Sequence, residues 1–352
     1  MISKKFTNIF KNKFPILVAE ISANHNGKLE TAKKLIKCAK DNGADAVKLQ
    51  TYKPETMTIN SNKKYFKIKK GLWKNLNLWN LYKKAHTPYE WHKELFSYAK
   101  KLNILCFSTP FDESAVDLLE KLNCPIYKIA SFEMKDFPLI KRISKTNKPV
   151  IISTGMANLS EIEETFNYAK NCGIKDIALL YCVSNYPSKK SDFSLNNIKI
   201  MKKKFNCDIG FSDHSKNDDI GFSSVIAGAE IIEKHIALEN QKKGFDIAFS
   251  LKGKEIRRFK NRLEAAREIL GKKKFFRNKT ENSSKIFRRS VFAIDKIIKG
   301  EKFSKKNIKN IRPGYGLEPK YFSKLLGKKS PQKFDSGSPI NSSVLKKLKI
   351  ND

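Results

Sequence analysis

Between Ile16 and Leu238 eight short apolar, β-branched runs recur, each closing on a polar cluster: ILVAEIS (16–22), AVKLQT (46–51), ILCFSTP (104–110), IYKIAS (126–131), VIISTG (150–155), IALLYCVS (177–184), DIGFSD (208–213) and IIEKHIAL (231–238). Runs that are apolar nearly throughout predict strands buried on both faces, as in a parallel sheet covered by helices. The intervening segments supply the helices. LETAKKLIKCAKDNG (29–43) and HKELFSYAKKLN (92–103) carry apolar residues at helical spacing and end near Gly or Asn. Eight strand–helix repeats are what a closed (β/α)8 TIM barrel, an α/β fold, requires. Chemistry in such barrels gathers at the C-terminal ends of the strands. Glu20, Lys48, Gln50, Thr109, Lys128, Ser131, Ser153, Ser184, Asp213, His214 and His235 are therefore expected at one mouth.

Two stretches break the rhythm. The segment from Lys53 to Pro88 is too long for a plain βα loop, and its KYFKIKKGLWKNLNLWNLYKKAHTP carries aromatic residues suited to packing over the mouth, which predicts a substrate-facing insertion. After the helical EIRRFKNRLEAAREILG (255–271), the polar KKKFFRNKTENSSK reads as a linker. The expected organisation is a barrel domain over 1–271, a linker over 272–284 and a second domain over 285–352. In that last part, short strand-like runs are punctuated by Lys299-Gly300, Pro313-Gly314, Gly316, Gly337 and Pro339. They predict a β-rich unit of ~65 residues, small enough to gain stability by docking on another surface.

Composition narrows the class. The chain has 352 residues, 40% of them hydrophobic and 24 of them Phe, enough for a substantial core. No run approaches the ~20 apolar residues that span a bilayer. The N-terminal stretch lacks a continuous apolar core followed by a small-residue cleavage site, so a cytoplasmic protein without a membrane partner is expected. Cys38, Cys106, Cys124, Cys172, Cys182 and Cys207 show no CxxC pair and read as reduced core thiols. A net charge of +36 raises nucleic acid or an acidic membrane surface as partners. The lysines are spread through every segment, however, and no helix-turn-helix, zinc-finger or aromatic ribonucleoprotein motif accompanies them. A solvated Lys-rich surface with no specific nucleic acid is the expectation, its positive field helping to draw in anionic substrates.

The candidate chemistry lies at the strand ends. His214 closes the seventh run and His235 lies in the eighth, so adjacent strands would bring two imidazoles together; they suit a divalent transition metal with positions open to substrate oxygen. Alternatively, each hydrogen-bonds a neighbouring strand. Lys48 and Lys128 put ammonium groups where an anion must offset their desolvation, and Ser131, Ser153, Ser184 and Ser212 offer a phosphate or carboxylate cradle around them. A lysine paired with Glu20 or Glu133 to stabilise the barrel, or one forming a Schiff base, is also open. Glu20, Glu133 and Asp246 supply carboxylates for proton transfer or sugar hydroxyls. A glycosidase built on a carboxylate pair would leave both lysines and both histidines without a role.

These residues sit in AEISANHNG, DAVKLQTYKPETM, FSTPFD, YKIASFE, ISTGMA, GFSDHS and IEKH, followed in the tail by FRRS and IRPGYGLEPKY. On those ordered motifs nearly the whole chain resembles the sialic acid synthases, which condense phosphoenolpyruvate with an N-acylated amino sugar. AHTPYEWH, GFDIAFSL and SFE, where neuraminate synthases usually read SGE, place the likeness nearest the branch that makes pseudaminic acid.

The resemblance implies His214 and His235 as manganese ligands, with magnesium or cobalt as substitutes, and Glu20 as a base. It assigns Lys48, Thr109, Lys128, Ser131, Ser153, Ser184 and Ser212 to phosphoenolpyruvate, and Gln50, Glu133, Tyr186 and Asp246 to the sugar. The tail is similar to an antifreeze-like or SAF domain that, in the family, caps the other subunit's barrel in a domain-swapped homodimer; Arg312 in IRPG would then contact the acylamido group. The implied acceptor is 2,4-diacetamido-2,4,6-trideoxy-L-altrose, with Phe132 and Phe245 offering its deoxy carbon an apolar face. N-acetylneuraminate or legionaminate synthesis is the near alternative; a Schiff-base aldolase or a basic nucleic-acid-binding protein is more distant. Two places depart from the family pattern: Asn185 in CVSNYP and the lysine-rich loop 61–75.

Overall fold

The computed structural model describes residues 4–10, 14–271 and 274–350. Residues 1–3, 11–13, 351–352 and the first two positions of the expected linker, 272–273, lie outside the described residues. The chain divides into two compact units, Met1–Gly271 and Lys272–Asp352.

The first unit is the expected (β/α)8 barrel. Its strands are β1 (Ile16–Glu20), β2 (Ala46–Thr51), β3 (Leu105–Pro110), β4 (Tyr127–Ile129), β5 (Val150–Ser153), β6 (Ile177–Cys182), β7 (Asp208–Asp213) and β8 (Ile231–Ala237). Each pairs in parallel with the next, and β8 returns to β1 in a register running from Ile16↔Ile231 to Glu20↔His235. A two-residue strand, β9 (Leu251–Lys252), pairs in parallel with the end of β8.

Helices Leu29–Asp41, Tyr89–Lys101, Glu113–Lys121, Phe137–Ser144, Leu159–Asn171, Asn196–Lys204, Asp218–Ala227 and Glu255–Leu270 follow the eight strands in turn. Several start where the sequence offers a side-chain acceptor for an orphan N–H: Asp112, Asp136, Asn158 and Asn217 each cap the helix that follows, Asn158 in a reciprocal box with Glu161. The strands and the helices' inner faces share one apolar core, in which Leu35, Leu95, Ile152, Leu179, Ile232 and Phe259 are buried. Among the described residues no helix is long and apolar enough to cross a membrane.

Strand residues alternate between faces, and that parity sorts the polar ones. In β8, Glu233 and His235 turn to the mouth, while Lys234 turns the other way, its ammonium 5.9 Å from the ring centroid of Phe259 on the outer helix. There Lys234 pairs with Asp213 at 3.0 Å. Asp213, expected at the mouth, thus faces outward because it sits one residue out of phase with Ser212 and His214.

The second unit has its own core, including Val291, Ile297, Phe303, Ile308, Leu325, Ile340 and Val344. Its regular strand content is smaller than the sequence suggested. β10 (Ser290–Ala293) pairs antiparallel with β11 (Ile308–Ile311), and isolated bridges such as Ile297↔Phe334 and Lys302↔Lys329 join the remaining segments. Frequent Gly and Pro interrupt the ladder before it can extend.

Candidate active site

β1, β2 and β8 place Glu20, Lys48 and Glu233 side by side at the mouth. Lys48 Nζ forms an ion pair with Glu20 Oε2, lies 3.6 Å from Glu233 Oε1 and donates to Thr109 Oγ1 at 3.0 Å. Glu20 Oε1 accepts from the Ser22 amide at 2.9 Å. Burial raises the Glu20 carboxyl above its ordinary pKa, against the opposing charge of Lys48. Burial alone would lower Lys48, but the Glu20 and Glu233 carboxylates outweigh it and hold the ammonium above its usual value. The pairing of a lysine with Glu20, left open by the sequence, is therefore present, and it joins Lys48 to a second carboxylate as well.

Lys128 is placed differently. Its Nζ donates to Ser153 Oγ at 2.7 Å and to the Ile129 carbonyl at 3.0 Å, both neutral oxygens. Among the described residues no carboxylate forms an ion pair with it. Burial depresses its pKa, as expected of an ammonium awaiting an anion. Beyond Ser153, the Ser131 hydroxyl accepts from the Gly155 amide at 3.1 Å. A Cβ at Gly155 would fall 2.1 Å from Ser184 Oγ and 2.8 Å from Ser131 Oγ, so only glycine lets these hydroxyls close around the turn. Gln50 is half-buried and in register with Thr109. Glu133 follows β4 in a short 3-10 turn, where burial lifts its carboxyl to about 7.

The two imidazoles meet at the ends of β7 and β8, ring centroids 5.5 Å apart. His214 Nδ1 lies 3.0 Å from the Val183 carbonyl. A carbonyl only accepts, so Nδ1 carries the proton and Nε2 presents its lone pair. His235 Nδ1 is buried without a hydrogen-bond partner; its contact to Asp246 Oδ2, at 3.4 Å, is long. Burial would raise Asp246, but the nearby His235 outweighs it and holds the carboxyl below its ordinary value.

Two local devices aim these groups. Asn24 fixes the loop carrying Asp246 by donating to the Ile236 carbonyl at 2.8 Å and accepting from the Asp246 amide at 3.2 Å. The Ser188 amide donates to the His214 carbonyl at 3.1 Å, which sets Tyr186 with its ring 4.5 Å from that of His214.

The donor chemistry suits a divalent transition metal. Two imidazoles converge, one with its tautomer set by a backbone carbonyl and the other with an orphan buried nitrogen. Among the described residues no group of three or more His, Cys, Asp or Glu is placed to hold a metal ion; the two imidazoles are the residues that would hold one.

The structure thus brings Glu20, Lys48, Gln50, Thr109, Lys128, Ser131, Glu133, Ser153, Ser184, Tyr186, Ser212, His214, His235 and Asp246 to one mouth. Arg312 lies in the second unit, exposed in the turn after β11. Phe132 is 64% exposed, Phe245 is half-buried, and Asn185 is exposed with its amide donating to Asp192 at 3.0 Å.

Sequence reasoning missed Glu233, although it shares the strand face of His235 two residues on. It also missed Phe249, buried 4.8 Å from the His235 ring. Cys182, expected as an inert core thiol, is at the mouth with Sγ 3.6 Å from Ser131 Oγ and 3.8 Å from His214 Nδ1. It ends β6 on the inward phase, which the run IALLYCVS could have shown.

The NeuB family model matches residues 35–275 and the SAF domain model matches residues 288–344. The chain belongs to the NeuB family, with a SAF domain after the barrel. It is 41% identical to pseudaminic acid synthase of Campylobacter jejuni subsp. jejuni serotype O:2, over 95% of this chain and 97% of that protein. Against pseudaminic acid synthase of Helicobacter pylori the identity is 42%, over 93% and 96%. Among solved structures, N-acetylneuraminic acid (sialic acid) synthetase from Leptospira borgpetersenii serovar Hardjo-bovis, in complex with citrate, superposes with a TM-score of 0.69 at 33% identity, covering 76% of this chain and 89% of that one.

Proposed function

We propose that this protein is a transferase that condenses phosphoenolpyruvate with 2,4-diacetamido-2,4,6-trideoxy-L-altrose, giving pseudaminic acid and phosphate. The observation that carries the chemistry is one barrel mouth holding two buried lysines, a buried carboxylate beside one of them and a facing pair of imidazoles. The near-full-length likeness to pseudaminic acid synthases supports the choice of acceptor.

Lys128, Ser153 and the Ser131–Gly155 turn, together with Lys48 and Thr109, hold the phosphate and carboxylate of phosphoenolpyruvate, replacing the water those anions lose on entry. This fixes carbon 3 against the acceptor aldehyde, so proximity supplies much of the catalysis. When bound by His214 and His235, a divalent metal, manganese or in its place magnesium or cobalt, supplies Lewis acidity to the open-chain aldehyde. After carbon–carbon bond formation, water adds at carbon 2 of the former phosphoenolpyruvate, and Glu20 takes its proton. The raised pKa of Glu20 makes it a stronger base than an ordinary carboxylate, and the Ser22 amide holds it in place. Phosphate then leaves with the bridging oxygen by C–O cleavage. Gln50, Glu133, Tyr186 and Asp246 orient the sugar.

Cytoplasmic location and a domain-swapped homodimer, with Arg312 supplied by the neighbouring chain, belong to the same proposal; sedimentation of the full chain tests the dimer. The activity test is phosphate release from phosphoenolpyruvate with manganese, comparing the trideoxy-altrose with N-acetylmannosamine. Release with the altrose alone, abolished in His214→Ala/His235→Ala, is expected, with an 18O label at the bridging position appearing in the phosphate. Release with N-acetylmannosamine alone would overturn the acceptor; label retained in the sugar product would overturn C–O cleavage.

A further inference from the structure

The barrel's second crossover runs through short turns of helix before it reaches the outer helix Tyr89–Lys101. After β2 the chain forms a hairpin over residues 67–77, closed on itself by Ile68 N–H to the Leu76 carbonyl at 2.9 Å and by Asn75 N–H to the Ile68 carbonyl at 3.1 Å, with a bridge between Lys67 and Asn77. Gly71 and Asn75 take positive φ values of 84° and 74° to turn it. Its tip is polar and open to solvent. Of residues 69–75 only Trp73 is half-buried; the others are exposed.

Trp73 turns toward the mouth. Its Nε1–H donates to the Phe245 carbonyl at 3.3 Å, next to Asp246, and its ring lies 5.8 Å from that of Tyr186. The Tyr186 ring is in turn 4.5 Å from His214 and 5.4 Å from Phe249, which packs on His235. The indole is therefore the outermost member of an aromatic wall that reaches down to both imidazoles. Beside it is a cavity of 430 Å³, lined by Asn26, Leu72, Trp73, Leu76, Phe245 and Ile247 among others. A hairpin whose tip turns in only its indole contributes little to the barrel's own packing. With its N–H held by the Phe245 carbonyl, the indole offers a fixed apolar face beside a polar mouth, suited to the apolar side of a polar ligand.

We propose that Trp73 is a specificity-determining residue for the acceptor sugar: its ring, continuous with Tyr186, forms the wall against which the sugar's apolar C–H face and acetamido methyl groups pack. This rests on the synthase reading above. It assigns the hairpin to the acceptor alone, because the groups that hold phosphoenolpyruvate, Lys48, Thr109, Lys128, Ser153 and the Ser131–Gly155 turn, lie on β2 to β5 and the turns after them, while Trp73 contacts Phe245 and Tyr186.

The test measures KM for each substrate in wild type, Trp73→Ala and Trp73→Phe. Trp73→Ala is expected to raise the acceptor KM about tenfold or more, as the loss of an aromatic contact does, with the phosphoenolpyruvate KM unchanged within about twofold. Trp73→Phe should restore most of the acceptor affinity. Unchanged acceptor KM in Trp73→Ala, or a parallel rise in both constants, would overturn the proposal, the latter by showing a merely structural loop. A second measurement keeps this separate from the synthase reading. In Trp79→Phe/Trp91→Phe protein, Trp73 is the sole tryptophan, and acceptor binding should protect its fluorescence from acrylamide whether or not phosphate is released. No protection at any acceptor concentration overturns the role of Trp73; protection without phosphate release from the wild type overturns the reaction and leaves the sugar contact standing.

Discussion

Replacing Lys234 with Met tests whether the outer face of β7 and β8 holds the mouth in register. Lys234 is 2% exposed and Asp213 is fully buried, their charged atoms 3.0 Å apart. Lys234 also donates to the Ser215 carbonyl, while the Ser215 amide donates to Asp213 Oδ1 at 2.8 Å. Methionine matches the stem's length and creates little cavity, so the change removes chiefly the charge, with its place over the Phe259 ring. Two unit charges at that spacing attract by about 5 kcal/mol at an effective dielectric of 20. Leaving one buried charge unpaired costs about 3–5 kcal/mol in measured cases. Lys234→Met is therefore expected to lose about 3–5 kcal/mol of barrel stability. Asp213→Asn/Lys234→Met removes the unpaired charge while keeping an acceptor for the Ser215 amide, and should recover more than half of the loss. Urea unfolding followed by tryptophan fluorescence reads the barrel alone, because Trp73, Trp79 and Trp91 all lie within Met1–Gly271. A loss below about 1 kcal/mol, the range of an exposed pair, or a double variant no better than the single one, would refute the argument.

At Gly155 a methyl group must displace the Ser184 and Ser131 hydroxyls, so Gly155→Ala should raise the phosphoenolpyruvate KM about tenfold while moving the acceptor KM less; steady-state kinetics with unaltered phosphoenolpyruvate KM would contradict this cradle. For Glu133, burial lifts the folded pKa to about 7 from 4.5. The folded state holds that proton more tightly, so the group's stabilising contribution is complete below about pH 4.5 and is lost as pH rises through about 7. Glu133→Gln should match wild type near pH 4 and exceed it by about 3 kcal/mol near pH 8; equal unfolding midpoints at pH 8 would show that the carboxyl is not desolvated.

The barrel was legible because each strand is apolar on both faces, a pattern with few other solutions, and because the polar residues closing each run mark one end of the sheet. What periodicity left blurred is where a strand stops. Ser131 and Ser184 were read as parts of runs, yet the ladder ends at Ile129 and Cys182, and the serines belong to the turns beyond. Those turns add two hydroxyls to the ones that Thr109, Ser153 and Ser212 bring from the strands, and their side chains no longer have to alternate between faces. The second unit was legible as a compact body but not as a strand pattern. Frequent Gly and Pro predict turns well, and a bridge between two irregular segments has no periodicity to read.

The missed and misplaced strand residues share one cause. A run that is apolar on both faces hides its phase, so Asp213 and Lys234 look like neighbours of the mouth in sequence while Glu233 looks like part of a charged pair. Counting in twos from His235 and His214 separates them: Glu233 and Ser212 fall inward, and Lys234 and Asp213 outward. The inward set carries the chemistry, and its groups are useful only if two strand ends hold their relative height. The outward ion pair sits at the matching register position, Asp213↔Lys234, one residue from each histidine. Residues that touch no substrate can thus be as necessary to the reaction as those that do, and the sequence places them beside the functional ones because adjacent strand residues point to opposite faces. Trp73 escapes this logic altogether: it reaches the mouth from an insertion, across a gap in sequence that strand phase does not govern.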